Sequence, residues 1–413
     1  MRQAMDTKDR RGVIAQIVSP YLFLTGSWIY GQITNIDRYR QIVLTNRTEN
    51  LDIFPFNPIF SYGDLLLPQK VFIRLGNNGF KDVYRNFFCG LLTKHAARLM
   101  HCHFGYCGVE FLDVKRKLKL PMVTSFYGSD MSFLPRDPQW KKKYEVFFGE
   151  GERFLVEGTH MKAGLLELGC PEKRIIVQHL GVDLQQLPMV PRTICPDGMV
   201  RILVAATFRE KKGIPYALEA FARVRQKHKN MRLTLMGDAS EDARDKVEKE
   251  KILEVLGKYD LHESVTWVGF QPHNVFREQL MRHDLFLSPS VLACDGDSEG
   301  GSPVSITEAQ ATGMPVLSTF HADIPEVVLD GKSGLLSPER DIEALTANLE
   351  FLVTHPEKRE EMGRQGRSHI EKEYNVKIQA KKLQEIYSSI LSSKNLLCSI
   401  FAVFGLPFGV TFI

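Results

Sequence analysis

At 413 residues, with 44% hydrophobic and 25% charged side chains, the chain has an ordinary globular composition and length enough for two domains, with room for a third. A net charge of only +4 lacks the strong basic excess of nucleic-acid binders, so no nucleic-acid partner is expected. Seven scattered cysteines, odd in number and without a Cys-x-x-Cys pair, argue for a reducing, cytoplasmic setting rather than a disulfide framework.

The first eleven residues are charged, and no apolar stretch behind them is long enough for a signal peptide. Thr25-Gly26-Ser27-Trp28 reads as a turn in which Gly26 permits close approach of a substrate, or as a simple tight turn. Short apolar runs follow at Leu99 to His103, Pro121 to Phe126, Arg153 to Val156 and Arg174 to Val177, separated by amphipathic stretches. This alternation predicts a parallel α/β sheet, whose strand ends are where ligands gather. Ser125-Phe126-Tyr127-Gly128-Ser129-Asp130 sits at one such end. Asp130 there fixes the loop, meets a ligand or caps a helix. His101-Cys102-His103 with Cys107 matches no zinc spacing, and strand alternation separates neighbouring side chains, so no metal is expected. Lys115-Arg116-Lys117-Leu118-Lys119 and Trp140-Lys141-Lys142-Lys143-Tyr144 read as solvated helix faces; aromatic-flanked lysines can also rest on an anionic bilayer.

Three prolines and a glycine between Leu187 and Gly198 mark a linker. A second strand series then opens at Val200 to Ala206 and continues at Met231 to Met236, Val265 to Val268, Leu285 to Ser288 and Pro315 to Ser318. Helical patterns lie between, such as Ile214 to Val224 with Pro215 in its first turn. Thr207-Phe208-Arg209-Glu210-Lys211-Lys212-Gly213 joins a strand to a helix. Cations there can clamp a diphosphate, Arg as a planar fork and Lys as a point charge; the bland reading is a solvated charged turn. Asp295-Gly296-Asp297 has the form of a metal-holding pair, but so short a pattern is common by chance.

The stretch Ser298-Glu299-Gly300-Gly301-Ser302-Pro303-Val304-Ser305-Ile306-Thr307-Glu308-Ala309 is the most informative. Two carboxylates flank a glycine-rich loop that opens a helix. Free N–H groups at a helix start suit phosphate, and carboxylates accept from ribose or sugar hydroxyls, so the combination suits a nucleotide-sugar. An acidic turn serving only as a cap is the alternative. Amphipathic helices are predicted at Pro356 to Ile370 and Val376 to Ile390. From Leu396 to Ile413 run 18 uncharged residues, at the lower edge of spanning length, with Gly405, Pro407 and Gly409 weakening a helix. A membrane-associating tail, an extension foreign to the native frame and a packed terminal segment all stay open for it.

The succession Glu308 to Thr319, Ile324 to Val328 and Asp330 to Leu336 resembles the C-terminal half of the family 4 (group 1) glycosyltransferases. The resemblance runs from Gln16 to Ile390 and is strongest from Val200 to Tyr374. It implies an α/β GT-B fold, in which two Rossmann-like doubly wound domains face a cleft. Residues 1–187 would form the acceptor-side domain, 188–199 a linker, 200–374 the nucleotide-sugar domain and 375–394 a helix crossing back to the first, with 395–413 as the apolar tail. Three departures stand out. Eight residues separate Glu299 and Glu308 where the family has seven, Thr207 occupies the position of the family's Arg, and Tyr127 replaces a His.

On this resemblance Lys212 and Arg209 neutralise the departing diphosphate and Glu299 contacts the donor sugar. Glu308 holds the ribose, and Gly237, Gly301, Ser302, Pro303 and Val304 form the rest of the donor site. Gly26, Ser27, His103, Tyr127 and Asp130 belong to the acceptor and sugar side. Tyr127 would bind sugar by a hydrogen bond, being a poor base at neutral pH. The implied reaction retains anomeric configuration and uses a UDP- or GDP-sugar, with no cofactor and no metal. The segment Trp28 to Pro55 is similar to bacterial surface-polysaccharide transferases, which implies a saccharide or lipid-linked saccharide acceptor and peripheral contact with the inner face of the plasma membrane. A GT-B sugar-nucleotide epimerase and a sugar-nucleotide-binding subunit without catalysis are the alternative readings.

Overall fold

Runs such as Val13-Ile14-Ala15-Gln16-Ile17 are buried at every position, as expected of strands covered on both faces. The computed structural model, which describes residues 11–65, 80–192 and 197–404, builds two parallel sheets from them. The first holds β1 (Val13–Ile17), β2 (Arg40–Thr45), β3 (Ile59–Ser61), β4 (Ala97–His103), β5 (Met122–Ser125), β6 (Arg153–Val156) and β7 (Ile175–Val177), in the order β3-β2-β1-β4-β5-β6-β7. The second holds β8 (Val200–Ala205), β9 (Met231–Met236), β10 (Val265–Gly269), β11 (Leu285–Leu287), β12 (Val316–Thr319) and β13 (Gly334–Ser337), in the order β10-β9-β8-β11-β12-β13. Among the described residues no strand is shared between them. The strand order reverses between β1 and β4, where Gln16 lies beside His101, and between β8 and β11, where Ile202 lies beside Leu285. Loops leaving opposite faces of a sheet at such a point open a crevice at the carboxyl ends of the strands. The two crevices face each other.

One face of the first sheet packs on a cluster of aromatic rings that includes Phe126, Tyr144, Phe147, Phe148 and Phe154, all buried. The other face presents Ile14, Leu99, Val123 and Leu155, and Leu383, Tyr387, Ile390 and Leu391 of the last helix, Val376–Phe404, cover them. Each such side chain contributes about 1.5–3 kcal/mol through burial, so the chain's last helix is anchored on the domain that began it. The two crossings between domains touch: Val182 N–H donates to Tyr374 O at 2.8 Å and Val376 N–H to Val182 O at 3.1 Å. The last helix does not break at 394, as the sequence reading had it, but continues to Phe404. The remainder of the apolar tail, 405–413, lies outside the described residues. Among the described residues no helix is long and apolar enough to cross a membrane.

Buried polar groups in the first sheet form a directional chain. Gln41 Nε2 donates to the carbonyl of Tyr39 at 3.1 Å, which turns Gln41 Oε1 toward Gln16 Nε2 at 2.6 Å. Gln16 Oε1 therefore faces His103 Nε2 at 2.9 Å, so that nitrogen carries the proton and Nδ1 accepts from Tyr127 Oη at 2.7 Å. Alongside, His101 Nδ1 meets Tyr387 Oη at 2.6 Å and its Nε2 meets Ser125 Oγ at 2.8 Å. Burial drives His101 down to about 3, and burial with the neighbouring His101 also lowers His103, so both rings are neutral.

Candidate active site

Between the facing crevices lies a cavity of about 510 Å³, in the range of small-molecule sites. The second domain brings its charge. After β8, the turn Glu210–Lys212 aims Lys212 at Glu299, Nζ to Oε2 at 2.7 Å. Ser290 Oγ donates to the other oxygen of Glu299 at 2.9 Å. Burial disfavours the Glu299 charge, but Lys212 and Lys211 outweigh it and hold the carboxyl below its ordinary value. Lys211 Nζ donates to Asp297 Oδ1 at 3.0 Å and to the carbonyl of Ser298 at 2.9 Å.

The helix Val304–Ala311 starts in the cavity behind Pro303, and no side chain caps it. Ile306 N–H already donates to the Pro303 carbonyl at 2.9 Å, which leaves the N–H groups of Val304 and Ser305 at the helix start for an anion. Ser302 Oγ, just before it, is buried and without a hydrogen-bond partner among the described residues, a polar atom that a ligand would satisfy. One turn into the helix, Glu308 Oε1 meets His273 Nε2 at 2.7 Å. Gly237 lines the same wall with φ +130°, and a Cβ there would lie 1.9 Å from the carbonyl of Ala206. Only glycine lets the loops after β8 and β9 meet so closely.

The first domain contributes rings. Phe23, Trp28, Phe104 and Tyr127 line the cavity from the loops after β1, β4 and β5. The domains touch where Gly128, at φ +151°, would place a Cβ 2.7 Å from the carbonyl of Glu299. Glu157 lies under the loop, accepts from the Ser302 N–H and lines the cavity floor. Burial, then the charges of Asp323, Asp130 and Glu299, push its carboxyl well above the ordinary range. Beside it the start of the helix Thr159–Glu167 is bound by the second domain: His160 N–H donates to Asp323 Oδ1 at 2.6 Å and Thr159 N–H to Glu326 Oε1 at 2.7 Å.

Of the residues singled out from sequence, Lys212, Glu299, Glu308, Gly237, Ser302, Pro303, Val304, Ser27, Tyr127 and Arg209 line the cavity. Several of the roles implied for them and for the other candidates do not match their surroundings. The guanidinium of Arg209 is held by Asp245 at 2.9 Å, with Asp242 at 3.6 Å and Asp297 at 3.7 Å, so three carboxylates compete for it. The Tyr127 hydroxyl is spent on His103, so only its ring can meet a ligand. His103 itself is buried behind that ring. Asp130 is fully buried and accepts from the N–H groups of Gly105, Tyr127 and Gly128 at 2.8, 3.1 and 2.9 Å, which makes it a loop fixer. Gly26 has an ordinary φ of −84° and abuts Phe23 and Leu22 of its own loop. Gly301 is buried against Glu157.

Ser290, His273, Glu157, Phe23 and Phe104 are not among the residues singled out from sequence. The Asp-x-Asp pair is engaged with cations, Asp295 with Arg244 and Asp297 with Lys211. In the first basic patch Lys115 pairs with Glu152 and Arg116 with Glu150; in the second Lys143 lies over the Trp140 ring.

Known proteins resemble this chain in sequence and in fold. The profile of the group 1 glycosyl transferases matches residues 195–369. The amylovoran biosynthesis glycosyltransferase AmsK of Erwinia amylovora is 33% identical over 70% of this chain and 70% of its own. The chain belongs to the group 1 glycosyltransferases. As in other glycosyltransferases of this group, the fold is GT-B. The sucrose-phosphate synthase of Thermosynechococcus elongatus superposes with a TM-score of 0.76 at 16% identity, covering 93% of this chain and 100% of that one. HepE of Anabaena in complex with UDP-glucose gives 0.72 at 15% identity, covering 91% and 99%. For this glycosyltransferase, then, family membership rests on sequence and the fold on structure.

Proposed function

We propose that this glycosyltransferase moves a hexosyl group from a UDP- or GDP-sugar to a saccharide or lipid-linked saccharide acceptor in the assembly of a surface polysaccharide, with retention and without a metal. The observation that carries the reading is the paired Lys212 and Glu299 facing an uncapped helix start and Glu308 across one cavity. In this reading the diphosphate lies on Ser302, Val304 and Ser305, with Lys212 and Lys211 beside it, and the ribose hydroxyls reach Glu308. The bond between the anomeric carbon and the phosphate oxygen breaks with its electron pair going to phosphate. The lysines offset that developing charge. The acceptor hydroxyl adds to the same face of the sugar and its proton passes to the departing phosphate, so the products are a glycoside and a nucleoside diphosphate. The relative's role in amylovoran biosynthesis supports a polysaccharide acceptor, and the UDP-glucose complex of HepE supports the donor class.

One observation favours a second reading, a sugar-nucleotide-binding subunit without transfer: Thr207 stands where the family has Arg, and Arg209 is held by three carboxylates. A screen of UDP-, GDP- and ADP-sugars with and without chelator separates the two. Slow release of one nucleotide, indifferent to chelator, is expected of a transferase, and the anomeric coupling in the transferred product reads retention. Tight binding with no release, even with a membrane-lipid extract as acceptor source, supports the binding subunit. No binding to any nucleotide removes both.

A further inference from the structure

The two walls of the cavity differ in charge. Every Lys and Arg among its described lining residues, Arg209, Lys211 and Lys212, comes from the second domain. The first domain contributes one carboxyl, Glu157, and no cation. What it offers instead is a triangle of half-buried rings: Phe23 to Trp28 at 6.2 Å, Trp28 to Phe104 at 6.1 Å and Phe23 to Phe104 at 6.2 Å between centroids. The triangle is braced from behind. Tyr127 meets Trp28 edge-on at 4.3 Å and Phe104 at 4.9 Å, and Tyr106 stacks on Phe104 at 5.2 Å. His103 pins the Tyr127 hydroxyl, so the brace is fixed before any ligand arrives.

We propose that Phe23, Trp28 and Phe104 bind an uncharged pyranose of the acceptor through its apolar face, so that the attacking hydroxyl belongs to a neutral sugar. The proposal rests on the transferase reading above. The negative face of an aromatic ring attracts positive edges, and the C–H face of a pyranose supplies them. Thr25, Ser27 and Ser129 line the same side and can take hydroxyls of the sugar. A uronate or sugar phosphate would bring its charge to a wall without a cation among the described lining residues, and an unpaired charge in such a place is costly. The nearest lysines are engaged by Asp297 and Glu299 and are needed by the diphosphate.

Saturation-transfer NMR on the full chain with UDP and GDP present tests this. The probes are methyl glucoside, methyl galactoside and methyl mannoside against methyl glucuronide and methyl galacturonide. The expected result is transfer to ring C–H groups of at least one neutral glycoside and none to the uronates. Trp28→Ala is expected to lower that signal at least tenfold and leave the nucleotide signal unchanged, while Trp28→Phe, which keeps a ring, retains both. Uronates binding as well as the neutral glycosides, or a Trp28→Ala chain that still binds nucleotide and sugar, overturns the proposal. So does a nucleotide signal with none from any glycoside, including a case where only added acyl-chain lipid responds. Absence of the nucleotide signal itself marks failure of the transferase reading, which is a different result.

Discussion

The second-domain wall of the cavity grips with charge and backbone, whereas the first-domain wall offers ring faces and a buried neutral network. Lys212 and Glu299 hold each other, and Glu308 lies one turn into the helix that follows and meets His273, all beyond the strands of a single sheet. Phe23, Trp28, Phe104 and Tyr127 converge from three loops and depend on packing. On the proposed function the departing phosphate meets one side and the incoming sugar the other, and changes on each wall should register in different kinetic constants. Substituting the second wall should weaken the donor or slow chemistry, and substituting the first should raise only the acceptor requirement.

The largest effect is expected at Lys212. Lys212→Gln removes the cation that offsets charge on the leaving phosphate while keeping a donor for Glu299. A fall in kcat of about 10²–10³ is expected, as for loss of one preorganised electrostatic contact. Single-turnover rates with saturating donor measure it, and an unchanged rate would remove Lys212 from the chemistry. Gly128→Ala comes next, because it attacks the meeting of the two walls and neither wall alone. Its Cβ must move away from the Glu299 carbonyl, and an L side chain resists φ +151°. A displacement of about 1 Å can cost about 10² in rate, so kcat/KM should fall by that order with nucleotide affinity near wild type. Titration calorimetry beside the kinetic assay separates those two quantities.

How much of this could be read from the chain follows the same division. Glu299, the glycine loop and Glu308 are close in sequence, and their chemistry is visible in one stretch. Five of the six strands of the second domain are legible as apolar runs, and β13 (Gly334–Ser337) is not. In the first domain β1 and β2 each carry a glutamine, Gln16 and Gln41, inside an apolar run, and β3 has only three residues, so none was named as a strand. Both glutamines are buried and satisfied by each other and by His103, which only the assembled sheet reveals. Aromatic residues at Phe23, Trp28 and Phe104 look like core until the connections after β1 and β4 bring them to one wall. Arg209 shows the converse limit: its residue type suits phosphate, but its direction is set by Asp242, Asp245 and Asp297, from elsewhere in the chain. The last helix runs on past its amphipathic stretch because no glycine or proline interrupts it before Gly405.

A smaller effect is expected at Glu308, where Glu308→Ala removes a charge-assisted acceptor from the donor site. Such a bond contributes about 1.5–3 kcal/mol, so the dissociation constant for the preferred nucleotide should rise by about 10- to 100-fold. Calorimetric titration with the nucleoside diphosphate alone is sufficient. A normal affinity would place the ribose elsewhere and would weaken the assignment of charge and donor to the same wall.

The smallest effect concerns the contact between the domains and its dependence on pH. Burial, opposed by the His160 N–H and reinforced by Glu326, raises the Asp323 carboxyl to about 7, against about 3.9 in an unfolded chain. Between these values the folded protein holds a proton that the unfolded chain has lost. The stabilising contribution is therefore complete below pH 4 and declines as pH rises through 7. Glu157, raised in the same direction, adds to the decline, whereas Glu299, held low by Lys212 and Lys211, opposes it only under acid conditions. Asp323→Asn removes one titration from this sum. Its amide oxygen can still accept from His160 N–H, and its NH₂ can donate to Glu326 without sharing a proton. The drop in Tm from pH 5.5 to pH 8 should consequently be smaller in the variant than in wild type, by about 2 °C or more. An equal drop in both proteins would mean that Asp323 is already ionised at pH 5.5, with the start of the helix Thr159–Glu167 compensating its burial. The contact between the domains would then be an ordinary charged helix cap.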